Sequence, residues 1–340
     1  MISLACVESS IIRYTHNKQG TRAMVRSLVM LLLSFNFSLL SETTAWSSPL
    51  PQARGGGFNA SVEMVRVPVV AIDEEGIFVT GLDKSSFEVK DGGKDHSVNF
   101  FVSDEDPVAI GILVDVSEGM KPYAEGIRLA IERASNNLRP DDEIFLATYG
   151  SKATMLAKPT ADKLQVASAL NAGDNTYWQA TDRALYDAIE LGLSTLERST
   201  YEKRSLLIIG ADGDTSSNAG ELMVQQHIHR VGVTIHAVVL SQRQTQIRNT
   251  PSRVNRLQTL PEIVRYTGGL LAQRPRQWGR FVDATGWIEA SATDITTYVK
   301  HQYLLHYAPQ NPPRPGTWRS IRVAIEGNPK KIRARSGYIR

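Results

Sequence analysis

Several oxygen-bearing side chains directly follow two apolar stretches of the sequence. Asp115 and Ser117 come immediately after one stretch, and Asp212 comes shortly after another, with Glu118 and Asp214 beside them. Hard divalent cations bind through such oxygen ligands, and Mg²⁺ takes one or two carboxylates while it keeps several waters. In open α/β sheets, ligands bind beyond the carboxyl ends of the strands, where the strand order reverses. The spacing therefore makes such an edge a candidate metal site, with no certain cofactor and with Mg²⁺ or Mn²⁺ as the ions that it would bind weakly, if any.

The elements that would position these side chains alternate between strands and helices. Val108–Val114 and Leu206–Ile209 are continuous apolar runs, as expected of strands that are buried on both faces. Apolar residues at helical spacing follow over 123–138 and 182–196. This alternation predicts a doubly wound, mainly parallel α/β sheet within a domain that covers residues 106–275.

Strand patterns flank this α/β domain on both sides in sequence. Residues 58–105 contain short alternating segments separated by turn signals, which predict a small β-module. Residues 276–340 predict one helix followed by strands. We expect this C-terminal part to pack on the N-terminal β-module, with the α/β domain inserted between them. Residues 47–57, rich in proline and glycine, are typical of a linker.

The N-terminus has the parts of a secretory signal peptide, which we assign to residues 1–46 with Met24 as a candidate true start. A basic beginning precedes the apolar run Leu28–Leu40 and then small residues. The run is shorter than the ~20 residues that span a bilayer, so we expect an exported protein, periplasmic or secreted, without a stable transmembrane anchor. Cys6, the one cysteine, lies in the segment that export would remove, which excludes disulfides and thiolate chemistry from the mature chain.

The first oxygen-rich motif resembles a known metal site. Asp115-x-Ser117, directly after a buried strand, is similar to the start of the metal-ion-dependent adhesion site of von Willebrand factor type A (vWA) domains. The outer segments of the chain resemble the vWA-related family described from Acidobacteria. The segments that match this related family are 79–92, 266–269 and 333–338, whereas 138–142, 184–189 and 212–213 match the vWA family itself. The resemblance implies a Rossmann-like vWA fold and a metal at the carboxyl edge of its sheet that coordinates an acidic residue of a protein partner.

The sequence departs from the family pattern at two ligand positions. Gly119 stands where the family has a hydroxyl ligand, and Arg183 stands where it has a threonine, with Thr181 displaced by two residues. Asp115, Ser117 and Asp212 remain of the five expected oxygen ligands. Three alternatives stay open: the Arg183 guanidinium replaces the metal in an ion pair with both carboxylates, a weak metal site persists with Thr181 as a ligand, or Arg183 faces solvent.

Other side chains with chemical potential have simpler explanations. His227 and His229 look like metal ligands, but positions i and i+2 of a helix do not share a face, which predicts two surface histidines. Trp178 is placed with Glu118 and Asp214 at a partner-binding rim of the site, although loop packing explains this tryptophan equally well.

These features together predict a non-enzymatic binding protein. The net charge of +3 does not favour nucleic acid as a partner, and the sequence lacks a nucleotide-binding glycine motif and a nucleophile elbow. We expect an exported vWA protein with a degenerate metal-ion-dependent adhesion site that binds another protein. The alternative is a structural component of the cell envelope with no metal-dependent ligand. The sequence does not identify the partner or the oligomeric state.

Overall fold

A computed structural model of the protein describes residues 64–170, 176–241, 259–275, 278, 283–310, 314, 317–327 and 331–339. The predicted signal peptide, the predicted linker and the first residues of the predicted β-module lie outside the described residues.

Within the described residues, the elements follow one another with these bounds. The strands are β1 (Val65–Ile72), β2 (Phe87–Asp91), β3 (Lys94–His96), β4 (Phe100–Val102), β5 (Val108–Asp115), β6 (Glu143–Tyr149), β7 (Ala153–Thr160), β8 (Lys203–Ala211), β9 (Thr234–Ser241), β10 (Leu271–Gln273), β11 (Tyr303–Tyr307), β12 (Trp318–Ile325), β13 (Lys331–Ala334) and β14 (Gly337–Ile339). The α-helices are α1 (Ala124–Asn137), α2 (Lys163–Ala167), α3 (Leu185–Glu197), α4 (Glu221–Val231), α5 (Thr259–Thr267) and α6 (Thr285–Lys300), and short 3₁₀ helices cover Lys84–Ser86 and Glu118–Tyr123.

The central sheet has the strand order β10-β9-β8-β5-β6-β7. Its strands are parallel except for the edge strand β7, which runs antiparallel to β6. From β5 the chain proceeds to β6 and β7 on one side, and from β8 it proceeds to β9 and β10 on the other. The strand order therefore reverses between β5 and β8, where ligands bind in doubly wound sheets. The predicted fold class is confirmed.

Helices cover both faces of this sheet because its inner strands are apolar on both faces. Every residue of β5 is buried. Consecutive residues of the strand, such as Ile112 and Leu113, belong to two separate core clusters. One cluster includes the apolar faces of α1 and α6, and the other includes those of α3, α4 and α5. A sheet buried in this way holds the loops at its carboxyl edge in fixed positions.

Two antiparallel sheets are built from strands that flank the α/β elements in sequence. Their orders are β13-β1-β11-β4 and β14-β12-β2-β3, so N-terminal strands pair with C-terminal ones. They share a third core cluster. Helix α6 differs from its sequence assignment, which grouped it with the C-terminal strands on the β-module. Its apolar residues, including Ile288 and Ile295, instead complete the core cluster beside α1, because this helix has its apolar face towards the central sheet.

Candidate functional site

Asp115 and Asp212 lie at the carboxyl edge of the sheet, on either side of the point where the strand order reverses. The Asp115 side chain is fully buried, and each of its oxygens accepts a backbone hydrogen bond, Oδ1 from Ser117 N (2.8 Å) and Oδ2 from Ala211 N (3.1 Å). Asp212 is 8% exposed, and its Oδ1 accepts a hydrogen bond from Leu260 N at 3.1 Å. The two carboxylates therefore connect the loops after β5 and β8 and fix the start of α5.

Burial is the main influence on the acidity of both groups. Desolvation raises the pKa of Asp115, and hydrogen bonds from Ser117 and Ala211 and the positive charge of Arg183 act in the opposite direction. Desolvation likewise raises the pKa of Asp212, while the Leu260 amide and the Arg183 charge oppose the rise. Arg183 thus favours the ionised form of both carboxylates through space.

Tyr149 and Gly210 belong to this site, and sequence reasoning missed them. The Tyr149 side chain is fully buried at the end of β6, where burial and then the charge of Asp115 raise its pKa well above the ordinary value. A Cβ at Gly210 would lie 2.3 Å from the Asp115 Cβ and 2.7 Å from the Tyr149 hydroxyl. Only glycine therefore allows these side chains to approach, and a glycine inside an apolar strand was the signal that could have indicated such a contact.

Two hydroxyl groups of the site are buried without an ordinary hydrogen bond. The Tyr149 hydroxyl has no hydrogen-bond partner among the described residues. The Ser117 hydroxyl lies beside the Asp115 carboxylate and helps to lower its pKa, but it too makes no hydrogen bond of ordinary geometry in the described part of the chain. The interior of the site is therefore polar and rich in oxygen atoms.

Backbone hydrogen bonds join the loops of this edge into one platform. The loop that carries Arg183 reaches the loop after β5, since Glu118 N donates to Ala180 O at 2.8 Å. It reaches the end of β6, since Ala184 N donates to Gly150 O at 2.7 Å. Two hydrogen bonds with Thr215 join the Arg183 loop to the loop after β8. Arg183 N donates to the Thr215 hydroxyl (2.7 Å), and Thr215 N donates to Arg183 O (2.9 Å). The backbone of Arg183 is therefore held on both sides.

The Arg183 side chain does not form the direct ion pair with Asp115 and Asp212 that the sequence suggested. Its Nε donates to Gly213 O at 3.3 Å, and no carboxylate of the described residues lies within ion-pair distance of its guanidinium. Backbone amides bond to both oxygens of Asp115 and to Oδ1 of Asp212, and the Arg183 side chain is directed to a backbone carbonyl instead. The guanidinium is half-buried and lies near the surface of the platform.

Thr181, the proposed substitute metal ligand, forms no hydrogen bond with Asp115 or Asp212 in the described part of the chain. The side chain is exposed, and its hydroxyl donates to Asp182 Oδ2 at 3.3 Å. Gly119 offers no side-chain oxygen, and a Cβ built there would have no atom within 4 Å. Neither position therefore supplies a ligand beside Asp115.

The predicted partner-binding rim needs one correction. Trp178 is 2% exposed and packs in the core cluster that includes α1, so it cannot anchor a partner; its apolar ring fills space under the platform. Asp214 is half-buried, and its Oδ1 accepts hydrogen bonds from Tyr186 N (3.2 Å) and the Ser217 hydroxyl (2.5 Å), which orders the start of α3. Glu118 is exposed, at the beginning of a 3₁₀ helix, and its place at a partner-binding rim stays a prediction.

The residues present do not fit a divalent metal ion well. Asp115, Ser117 and Asp212 are the oxygen donors of the family pattern that the structure retains near one another. Backbone amides use both oxygens of Asp115 and one oxygen of Asp212. The positive charge of Arg183, which acts on both carboxylates, opposes a second cation at the same place. The donor set therefore favours a site that works without Mg²⁺ or Mn²⁺.

His227 is not the surface histidine that the sequence predicted. It is 7% exposed, and its Nδ1 lies 2.7 Å from Glu190 Oε2 while its Nε2 lies 3.5 Å from Glu197 Oε2. It connects α4 to α3, because its position on α4 turns it towards the neighbouring helix; His229 is half-buried. Among the described residues, no group of three or more histidine, cysteine or acidic side chains could hold a metal ion.

Comparison with known proteins gives structural similarity alone. No family model and no curated protein matches the sequence. A von Willebrand factor type A protein from Catenulispora acidiphila is 9% identical over 74% of this chain and 72% of its own, with a TM-score of 0.45. The conserved hypothetical protein BatB from Bacteroides thetaiotaomicron is 16% identical over 57% of this chain and 99% of its own, with a TM-score of 0.41. Proximal thread matrix protein 1 from the mussel byssus, with a zinc-occupied metal-ion-dependent adhesion site, is 12% identical over 63% and 50%, with a TM-score of 0.44.

The solved structures similar to this chain thus include vWA domain proteins. Their TM-scores are below 0.5 and their identities are low. The stronger evidence for the fold class is the observed strand order, with Asp115 and Asp212 at the point where it reverses. The resemblance to vWA proteins is confirmed at the level of the fold. The narrower resemblance to the family described from Acidobacteria stays a prediction.

Proposed function

We propose that this chain is an exported, non-enzymatic protein that binds another protein through the carboxyl edge of its vWA-like sheet. The observation that carries the proposal is the platform of loops at the reversal of strand order. Buried carboxylates and backbone hydrogen bonds fix these loops from below, while Glu118, Thr181, Asp182, Thr215 and Ser216 are exposed on them. A rigid backbone with exposed polar side chains suits recognition, since little ordering entropy is lost on binding.

The environment of the two carboxylates supports a binding function over catalysis. A general acid or base must reach the proton that it transfers. The fully buried Asp115 carboxylate has both oxygens engaged by backbone amides, so a substrate could not approach it without disruption of the loops. The carboxylates therefore suit a structural role beneath a binding surface.

A capture experiment with surface variants tests binding through this edge. The full chain would be immobilised and exposed to envelope and culture-fluid proteins of the source cells, in parallel with a triple variant, Glu118→Arg, Asp182→Arg and Thr215→Arg. Glu105→Arg, at an exposed position before β5 and thus at the opposite end of the sheet, is the control. We expect a captured protein that the control retains and the triple variant loses. Capture that is unaffected by the triple variant would refute binding through this edge, and absence of any capture would favour the structural envelope role.

Export is tested by the fate of the N-terminus. Within the described parts of the chain, no helix is long and apolar enough to cross a membrane. We expect the full chain, expressed in a bacterial host, to yield a mature protein outside the cytoplasm that begins near Ser47. Replacement of Leu32 and Leu33 by arginine should block processing, because it interrupts the apolar run. Equal processing of the altered chain, or none of the original, would contradict export.

A further inference from the structure

We infer that this edge captures a carboxylate group of its partner through the guanidinium of Arg183, without a metal ion. The inference rests on the proposed function and names the chemistry that the binding surface recognises. It starts from the mismatch between the donor set of the site and a divalent cation. Among the described residues, the positive charge that acts on both Asp115 and Asp212 is that of the Arg183 side chain.

The position of Arg183 is fixed before any ligand arrives. Its amide and carbonyl are both bonded to Thr215, and the next residue, Ala184, is bonded to Gly150. The side chain is anchored by one hydrogen bond, from Nε to Gly213 O. A guanidinium oriented in this way loses less conformational freedom on binding than one on a free surface loop.

The two outer nitrogens of the guanidinium remain available. Within the described part of the chain neither Nη atom has a hydrogen-bond partner, and neither is among the fully buried polar atoms that lack one. The fork of two parallel N–H groups matches the two oxygens of a carboxylate. Because Asp115 and Asp212 act on the guanidinium only through space, they stabilise its charge but leave these donors to a ligand.

The acidic groups around Arg183 disfavour an anion with two negative charges more than one with a single charge. Glu118 and Asp182 are exposed on the same platform, and the buried carboxylates lie beneath it. A group with two negative charges, such as a phosphate, would meet more repulsion from these four acids than a carboxylate, which carries one. The geometry therefore points to an aspartate or glutamate side chain, or a chain terminus, on the partner.

Nuclear magnetic resonance of the mature protein, labelled with ¹⁵N, tests the inference with acetate as the probe. Acetate would be titrated in the presence of EDTA at constant ionic strength while the Nε–Hε signal of Arg183 is followed. We expect a saturable shift of this signal. The shift should be lost in Arg183→Gln and kept in Arg198→Gln, which alters an exposed arginine at the opposite end of α3. The backbone amide spectrum of each variant verifies that it is folded.

Titration with Mn²⁺ supplies the competing outcome. If Mn²⁺ broadens the amide signals of Ser117 and Ala211, which contact Asp115, and the acetate shift requires the metal, the inference is overturned. It is also overturned if acetate produces no saturable shift, or if phosphate binds at Arg183 more tightly than acetate. If the captured protein depends on Glu118, Asp182 and Thr215 but not on Arg183, this inference fails while the proposed function stands.

Discussion

The stability of this protein should depend on pH through a histidine in the middle of the central sheet. His236 on β9 is fully buried, and its ring packs edge-on against Tyr298 at a centroid distance of 5.7 Å. Its Nδ1 accepts a hydrogen bond from Leu270 N at 3.0 Å, which requires the unprotonated form of that nitrogen. Burial lowers the pKa of His236 from 6.5 to about 3.

The sign and size of the effect follow from these values. Below pH 6.5 the unfolded chain binds a proton at His236 that the folded protein does not bind, so the free energy of unfolding decreases as the pH falls from 6.5 towards 3. Above pH 6.5 the stabilising contribution of the neutral His236 ring is fully present. At about pH 5 the pH lies roughly 1.5 units below the unfolded pKa, which corresponds to a loss of about 2 kcal/mol relative to about pH 8.

Urea denaturation of the wild type and His236→Asn, at both pH values, measures this contribution. The asparagine Oδ1 can take the place of Nδ1 as acceptor for Leu270 N but does not titrate. We expect the variant to be less stable at the higher pH, because it leaves a small cavity, yet to lose about 2 kcal/mol less than the wild type on acidification. His306→Asn should remove a similar part of the stability loss on acidification, since burial and then the charge of Arg66 lower the pKa of His306 to about 4. Equal losses in the wild type and His236→Asn would refute the reasoning.

Three further changes test the packing and the chemistry of the edge. Gly210→Ala should reduce the free energy of unfolding by about 1–3 kcal/mol, because its Cβ would contact Asp115. Gly119→Ala places its Cβ in open space and should reduce that free energy much less in the same urea titration. Equal reductions in the two variants would contradict this packing. Lys203→Met should cost about 3 kcal/mol or more, since its buried ammonium donates to three backbone carbonyls that would lose their donor, and a cost below about 1 kcal/mol would argue against those bonds. The double change Gly119→Ser with Arg183→Thr should create Mn²⁺ binding that calorimetry detects in the variant and not in the wild type; heat of binding in the wild type would restore the metal site.

The sequence predicted the central sheet well because burial on both faces leaves a clear pattern. The apolar runs that became β5 and β8 are short and rich in β-branched residues, which favours buried strands. The carboxylates that follow them had to lie at one edge once the strands were parallel. The antiparallel β-module left weaker patterns, and α6 carried no sign of which sheet it would cover. Its apolar stripe indicates a buried face but does not identify the partner of that face.

The details of the site were less predictable because they depend on loops. Trp178 was placed at the rim because it precedes the Arg183 segment, yet the loop turns the ring into the core. The position of the Arg183 backbone depends on bonds that Arg183 makes with Thr215 and that Ala184 makes with Gly150, and its side chain bonds to Gly213 O; these partners come from loops far away in sequence. Tyr149 was overlooked because its strand is apolar and its hydroxyl reaches the site only across the space that Gly210 leaves open.

The two carboxylates keep a function at this edge even where no metal binds. Asp115 accepts one hydrogen bond from an amide of the loop after β5 and one from the amide of the last residue of β8. An asparagine could accept only one of them and would turn its own N–H group towards the other. The carboxylate is therefore the residue type that holds both loops in register from a buried position. Its charge, and that of Asp212, then stabilises the cation of Arg183 at a distance. On this reasoning the buried part of the edge determines the shape and the potential of the surface, while Arg183 and the exposed loop residues provide the contacts with a ligand.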